Sequence, residues 1–395
     1  MSVRDVILGG LSLLALSPAG FGAWIFSLPR PSAVEAKSVS QAEMDALLAS
    51  LKPPKRERPL VAVVGINDAT ETTDYLMPTG ILRHADVADV VMLATGPGPV
   101  KLDPALTVES DATIADFDAR HPDGADYVIV PAMSRDDDPA VLVWLRNQAS
   151  KGAIIVGVCA GAKIVAAAGL LDGKEATTHW YHLKEMLSRN PSITYVANRR
   201  MVANGNVVTT TGISASMPAM LTLIEAIAGR GKAEAVARGL GVSQWDARHA
   251  SDAFRFTRPF ATTVLGNVLA FWNREQVGIE LVPGADEVSL ALVADAWSRA
   301  YRSKAITFAA LSAAVESRNG IRVVPDDLAS NWRDESRVSL FPDRASAEAL
   351  DQALAAIEGR HGPSTANVVA MQLEYARSRH EEIGARGGQH RGDRC

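Results

Sequence analysis

The chain has 395 residues, of which 47% are hydrophobic, 22% charged and 6% aromatic. That is enough apolar material for one large or two ordinary domains, and too much for a disordered chain. Forty basic against forty-five acidic residues leave a net charge of −5, with no basic footprint for nucleic acid; two cysteines, Cys159 and Cys395, are too few for a disulfide scaffold or a cysteine-rich metal module.

In chain order, residues 6–28 (VILGGLSLLALSPAGFGAWIFSL) hold no charged side chain. The run is longer than a signal-peptide core and reaches the roughly 20 residues that span a bilayer. Residues 1–30 are therefore expected to form a single membrane anchor, which places the protein at a membrane. A signal cleaved near Ala23, giving a secreted or periplasmic protein, is the rival reading, and a buried soluble helix the third. Residues 31–57 read as a linker with one short helix.

From Arg58 the texture changes. Residues 60–65, 90–94, 127–131 and 154–158 are short, continuous apolar runs, as expected of parallel strands buried on both faces. Helical spacing fills 74–84, 139–151 and the stretch after Cys159; 207–211 reads as a late strand and 218–230 as a helix stopped by glycines. Alternating strands and helices predict a doubly wound α/β sheet with its ligand crevice at the carboxyl ends of the strands.

One segment combines these elements with chemistry. In IIVGVCAGAKIV an apolar strand runs into Cys159 and a helix starts at once, with small residues Ala160 and Gly161 permitting the sharp turn of a nucleophile elbow. A thiol at a helix N-terminus is expected to be drawn toward thiolate, and the turn amides could hold an oxyanion. The plainer alternative is an inert buried cysteine. His179, in ATTHW, gains meaning only if it lies beside Cys159; otherwise it is a packed histidine. Glu71 and Asp74 fall in a predicted loop, 67–74, on the same rim, and Asp74 could equally be a helix cap.

The pattern VCAGA, then AAAGLLDGKEATTHW, then NGNVVTTTG resembles the ThiJ/PfpI family of the class I glutamine-amidotransferase-like superfamily, over about residues 58–230. The resemblance implies a flavodoxin-like sandwich with a mainly parallel sheet. It makes Cys159 the nucleophile and His179 the nearby histidine. Asp74, four residues before Pro78, becomes the acid that touches the thiol, which favours it over Glu71. Ala160 and Gly161, whose amides head the helix, and Glu71, on the same rim, are read as oxyanion or pocket residues. Ala160 stands where the protease-like branch has a histidine, which argues against proteolysis. Pro218 stands where the isonitrile-hydratase and regulator branches have an aspartate.

The family-like domain is expected over 58–256 and a second α/β domain over 257–376. The latter echoes the opening order of the first without a cysteine elbow, as a degenerate copy would. It would cover the first domain or help to assemble a homodimer. The Asp246/His249 pair is read as capping and packing, and 377–395 as a polar tail. The expected function is a cysteine-dependent hydrolase or lyase acting on a small carbonyl, amide or nitrile-like substrate, with no cofactor, no metal and no nucleic-acid partner. The alternatives are a membrane-anchored redox or small-molecule sensor using the same pocket, and a remnant of a transcriptional regulator.

Overall fold

The computed structural model describes residues 18–31 and 35–377. Helices α1 (Pro18–Ser27) and α2 (Gln41–Ser50) precede the first strand, and α2 is capped by Ser40, whose hydroxyl accepts from the Glu43 amide. Among the described residues no helix is long and apolar enough to cross a membrane. Residues 1–17, where much of the expected anchor falls, lie outside the described residues, as does Cys395.

The first half then runs β1 (Leu60–Gly65), β2 (Asp68–Glu71), α3 (Thr72–Ala85), β3 (Asp89–Ala94), β4 (Val100–Asp103), β5 (Thr107–Val108), β6 (Ala112–Thr113), α4 (Ile114–Arg120), β7 (Tyr127–Val130), α5 (Pro139–Ser150), β8 (Ile154–Gly157) and α6 (Gly161–Ala167). It continues with β9 (Glu175–Ala176), α7 (Trp180–Arg189), β10 (Thr194–Tyr195), β11 (Met201–Asn204), β12 (Val207–Thr210), α8 (Ser216–Ala228) and α9 (Arg230–Leu240). Seven strands form one sheet in the order β11-β12-β8-β7-β1-β3-β6. Every pairing in it is parallel except β11 with β12. The chain is thus an α/β protein with a mainly parallel sheet and alternating helices. Strands β1, β7, β8 and β12 are buried at every residue; β1, β7 and β8 are accordingly apolar without alternation, while β12 ends in two buried threonines, Thr209 and Thr210.

The predicted loop 67–74 is in fact β2 followed by the first turn of α3. The helix starts at Thr72, and the cap is Glu71, not Asp74, because the Glu71 carboxylate accepts from the Asp74 amide. Every residue of α3 from Thr72 to Leu82 is buried. A helix with no solvent face needs cover on both sides, and here the sheet lies on one side and the second half of the chain on the other.

That second half comprises α10 (Arg258–Leu269), β13 (Glu275–Glu280), α11 (Glu287–Ser298), β14 (Ser303–Ala309), β15 (Val315–Glu316), β16 (Arg322–Val324), β17 (Asp327–Leu328), β18 (Arg337–Val338), α12 (Glu348–His361) and α13 (Pro363–Gln372). Strand, buried helix, parallel strand, antiparallel hairpin and short strand follow one another here as they do from β1 to β6. The two hairpins meet: β16 pairs antiparallel with β5, Val323 opposite Val108, in a five-stranded sheet built from both halves. Helix α11 packs on α3, and a single apolar cluster runs through both, from Val61 and Leu76 to Leu292 and Leu354.

Candidate functional site

The elbow is built from local backbone chemistry. Strand β8 ends at Gly157, the Val158 amide still donates to the Val130 carbonyl at 3.0 Å, and Cys159 then turns to φ +55°. A non-glycine residue in that left-handed region costs about 1–2 kcal/mol and persists only where its surroundings fix it. Two threonines do so: the Cys159 amide donates to Thr210 Oγ1 at 3.1 Å, and Thr178 Oγ1 donates to the Cys159 carbonyl at 3.0 Å. Gly161 is required for a different reason, since a Cβ there would run into the Val130 carbonyl.

The turn amides are not equivalent. Gly161 donates its N–H to the Val158 carbonyl at 2.7 Å, so it is spent within the turn and does not face a substrate as the sequence reading expected. The Ala160 amide is directed at the sulfur and works to lower the thiol's proton affinity. It is outweighed. Burial first, then the carboxyls of Asp74 and Glu71, push the thiol well above its usual value. The expected thiolate is therefore not the resting form: α6 has only seven residues, and its terminus does not offset desolvation beside two acids.

The two acids have distinct jobs. Glu71 Oε2 accepts from the Asp74 amide at 2.6 Å and from Thr73 Oγ1 at 2.8 Å, while Oε1 accepts from Arg299 Nη2 at 2.7 Å. Asp74 is wholly buried; its Oδ2 accepts from the Ala132 amide at 3.2 Å, and its Oδ1 has no hydrogen-bond partner among the described residues. Burial, then Glu71, raises the Asp74 carboxyl well above the ordinary carboxylate range. Glu71 is thus saturated, and Asp74 has an oxygen to spare.

His179 is in the wall of the same cleft, at the start of α7. Its Nδ1 accepts from the Tyr181 amide at 3.2 Å, and Nε2 donates to the Gln372 carbonyl at 2.9 Å. An amide donor on Nδ1 fixes the Nε2–H tautomer. Burial pushes the imidazole down to about 4, so the ring is neutral near pH 7 and both nitrogens are engaged.

Cys159, Ala160, Glu71 and His179 line a cleft of about 570 Å³ that also contains Asp103, Lys163, Arg299 and Tyr301, while Asp74 lies buried outside that lining. Lys163 is itself held by Asp136 at 2.8 Å and Glu185 at 2.9 Å. Arg299 Nε donates to Asp295 Oδ1 at 2.6 Å, and Tyr301 Oη donates to Gln372 Oε1 at 3.0 Å. Sequence reasoning missed Arg299, Tyr301 and Gln372, since no local motif carries them. Farther off, Asp246 pairs with Arg248, and His249 bonds Glu374 and stacks on Phe254. Among the described residues no group of three or more candidate ligands could hold a metal ion.

A mainly parallel α/β sheet with a cysteine at a left-handed strand-to-helix turn, facing a buried acid, defines a cysteine-elbow domain of flavodoxin-like architecture. Residues 61–226 match the model of the DJ-1/PfpI family, and the chain carries a domain of that family there. Protein dj-1beta of Drosophila melanogaster is 27% identical over 187 residues, covering 46% of this chain and 97% of that protein. Isonitrile hydratase of Pseudomonas putida is 38% identical over 102 residues, but these are 25% of this chain and 42% of that enzyme. The HTH-type transcriptional regulator CdhR of Pseudomonas aeruginosa is 31% identical over 144 residues, 41% of its length. Among solved structures, Drosophila melanogaster DJ-1beta is 26% identical and covers 47% of this chain and 100% of its own, with a TM-score of 0.42.

Proposed function

We propose that this protein is a cysteine-dependent hydrolase or lyase acting on a small carbonyl, amide or nitrile-like substrate through Cys159. The observation that carries the reading is the left-handed elbow that presents the thiol to a cleft, with the buried carboxyl of Asp74, one oxygen unpartnered, acting on that thiol from behind the lining. In its ionised form Asp74 accepts the thiol proton at Oδ1. Because its proton affinity is raised, the transfer is less uphill than to an ordinary carboxylate. The sulfur adds to the electrophilic carbon, the π electron pair moves to the heteroatom, and Asp74 returns the proton to that atom. The Ala160 amide is the turn donor on the reacting side; Gly161 supplies space. With an amide substrate Asp74 delivers the proton to the nitrogen instead, the C–N bond breaks as the carbonyl re-forms, the amine leaves, and water hydrolyses the thioester to the acid and the free thiol.

His179 has a positioning role in this scheme. It caps α7 and ties the wall of the cleft to Gln372, so the proton route runs through Asp74. The test is turnover across a panel of small aldehydes, amides and nitriles by the wild type and by Cys159→Ser. Activity in the wild type and none in the serine variant is expected. Activity that survives the substitution overturns the reading.

A further inference from the structure

A second cavity, of about 790 Å³, adjoins the thiol cleft and has no part in the chemistry above. Trp180, Tyr181 and Glu185 line both, so the two share a wall. Beyond that wall the second cavity is faced by Tyr195, Phe254 and Phe256. Its size falls in the range of small-molecule sites, roughly 300–1,000 Å³.

The rings around it are braced from behind. Trp180 Nε1 donates to the Met371 carbonyl at 2.9 Å, and its ring meets Phe260 edge-on at 5.7 Å. Phe254 stacks on His249 at 5.3 Å, and Phe256 is held between Phe260 and Trp24 at 5.4 and 5.9 Å. Aromatic faces fixed around a void present their area without an ordering cost on binding. Lys184, Glu185, Asp252 and Arg255 also line the cavity but none is buried, and the buried acid of the lining, Glu374, is already spent on His249 and the Gly212 amide. The wall is also coupled to the elbow, because Thr178 lines the cavity and donates to the Cys159 carbonyl.

We infer that the substrate of Cys159 carries a flat aromatic arm, which lodges among Trp180, Tyr195, Phe254 and Phe256 while its electrophilic carbon meets the thiol. The inference rests on Cys159 being the nucleophile and specifies the substrate class of that site. Haloacetamides test it, since the sulfur displaces iodide, an S–C bond replaces the C–I bond, and the thiol proton passes to buffer. Full-length protein is treated with iodoacetamide and with N-phenylalkyl iodoacetamides of increasing chain length, with rates normalised to a free thiol and the labelled residue located by mass spectrometry. One arm length should label Cys159 about tenfold faster than iodoacetamide, as one or two aromatic contacts would give. Phe254→Leu and Tyr195→Ala, at residues that line the second cavity and not the thiol cleft, should remove that advantage and leave the iodoacetamide rate within about twofold. Equal normalised rates for all reagents overturn the aromatic arm alone, as does an advantage that persists in both variants. Failure of every reagent to label Cys159 overturns the nucleophile, and the arm with it.

Discussion

The elbow at Cys159 is a local object: an apolar strand, a cysteine, small residues and a helix within a dozen positions. Its chemistry is set from farther away. The Gly161 amide is consumed by Val158, and the thiol's proton affinity is set by burial and by acids about 85 positions upstream. Asp74→Asn removes the largest charge acting on the sulfur. It should lower the thiol's pKa while impairing turnover, an opposition readable as a leftward shift in the pH profile of alkylation together with a drop in kcat. Gly161→Ala should be severely destabilising, by about 2–4 kcal/mol or by failure to fold, because the added methyl meets a carbonyl in the sheet rather than a mobile side chain. Thermal melts of the soluble variant check it; an unchanged Tm would contradict the close approach.

Helices and strands explain the next tier. The strands could be read because burial on both faces leaves continuous apolar runs, whereas α3 hid its surroundings: a helix buried all round gives no stripe to say what covers it. The cover is α11, and it brings Arg299 to Glu71. Arg299→Ala leaves Asp295 and Glu71 without their shared cation, which should cost about 3 kcal/mol and lower the Tm, with Arg299→Lys intermediate because it loses the fork that spans both acids. The cap of α7 has its own signature. His179 is held at about 4 in the folded protein against about 6.5 unfolded, so the unfolded chain binds more protons as pH falls between those values. Its contribution, on the order of 3 kcal/mol, is therefore present above pH 6.5 and lost on the way down to about pH 4. The raised carboxyls of Asp74 and Asp295 act in the opposite sense, stabilising at low pH and losing that as pH rises. Comparison with His179→Asn, which keeps a neutral cap, isolates the histidine: its Tm should fall less than the wild type's between pH 7 and pH 5.

At the scale of the whole molecule, an apolar core and a shared five-stranded sheet join the two halves. Calorimetry should show one cooperative transition, and two resolved transitions would refute that coupling. The sequence divided the chain at residue 256; the division hid the contacts because residues that meet in the cleft, Glu71 and Arg299 or His179 and Gln372, stand 228 and 193 positions apart. Those separations also bear on inheritance. A recombination event that exchanged residues 61–226 for another domain of the family would import an elbow complete in itself. It would leave behind the arginine, the glutamine carbonyl and the hairpin that the imported walls had never met. The elbow can be transplanted by itself, but a cleft like this one must be inherited as the long segment that encodes both its sides.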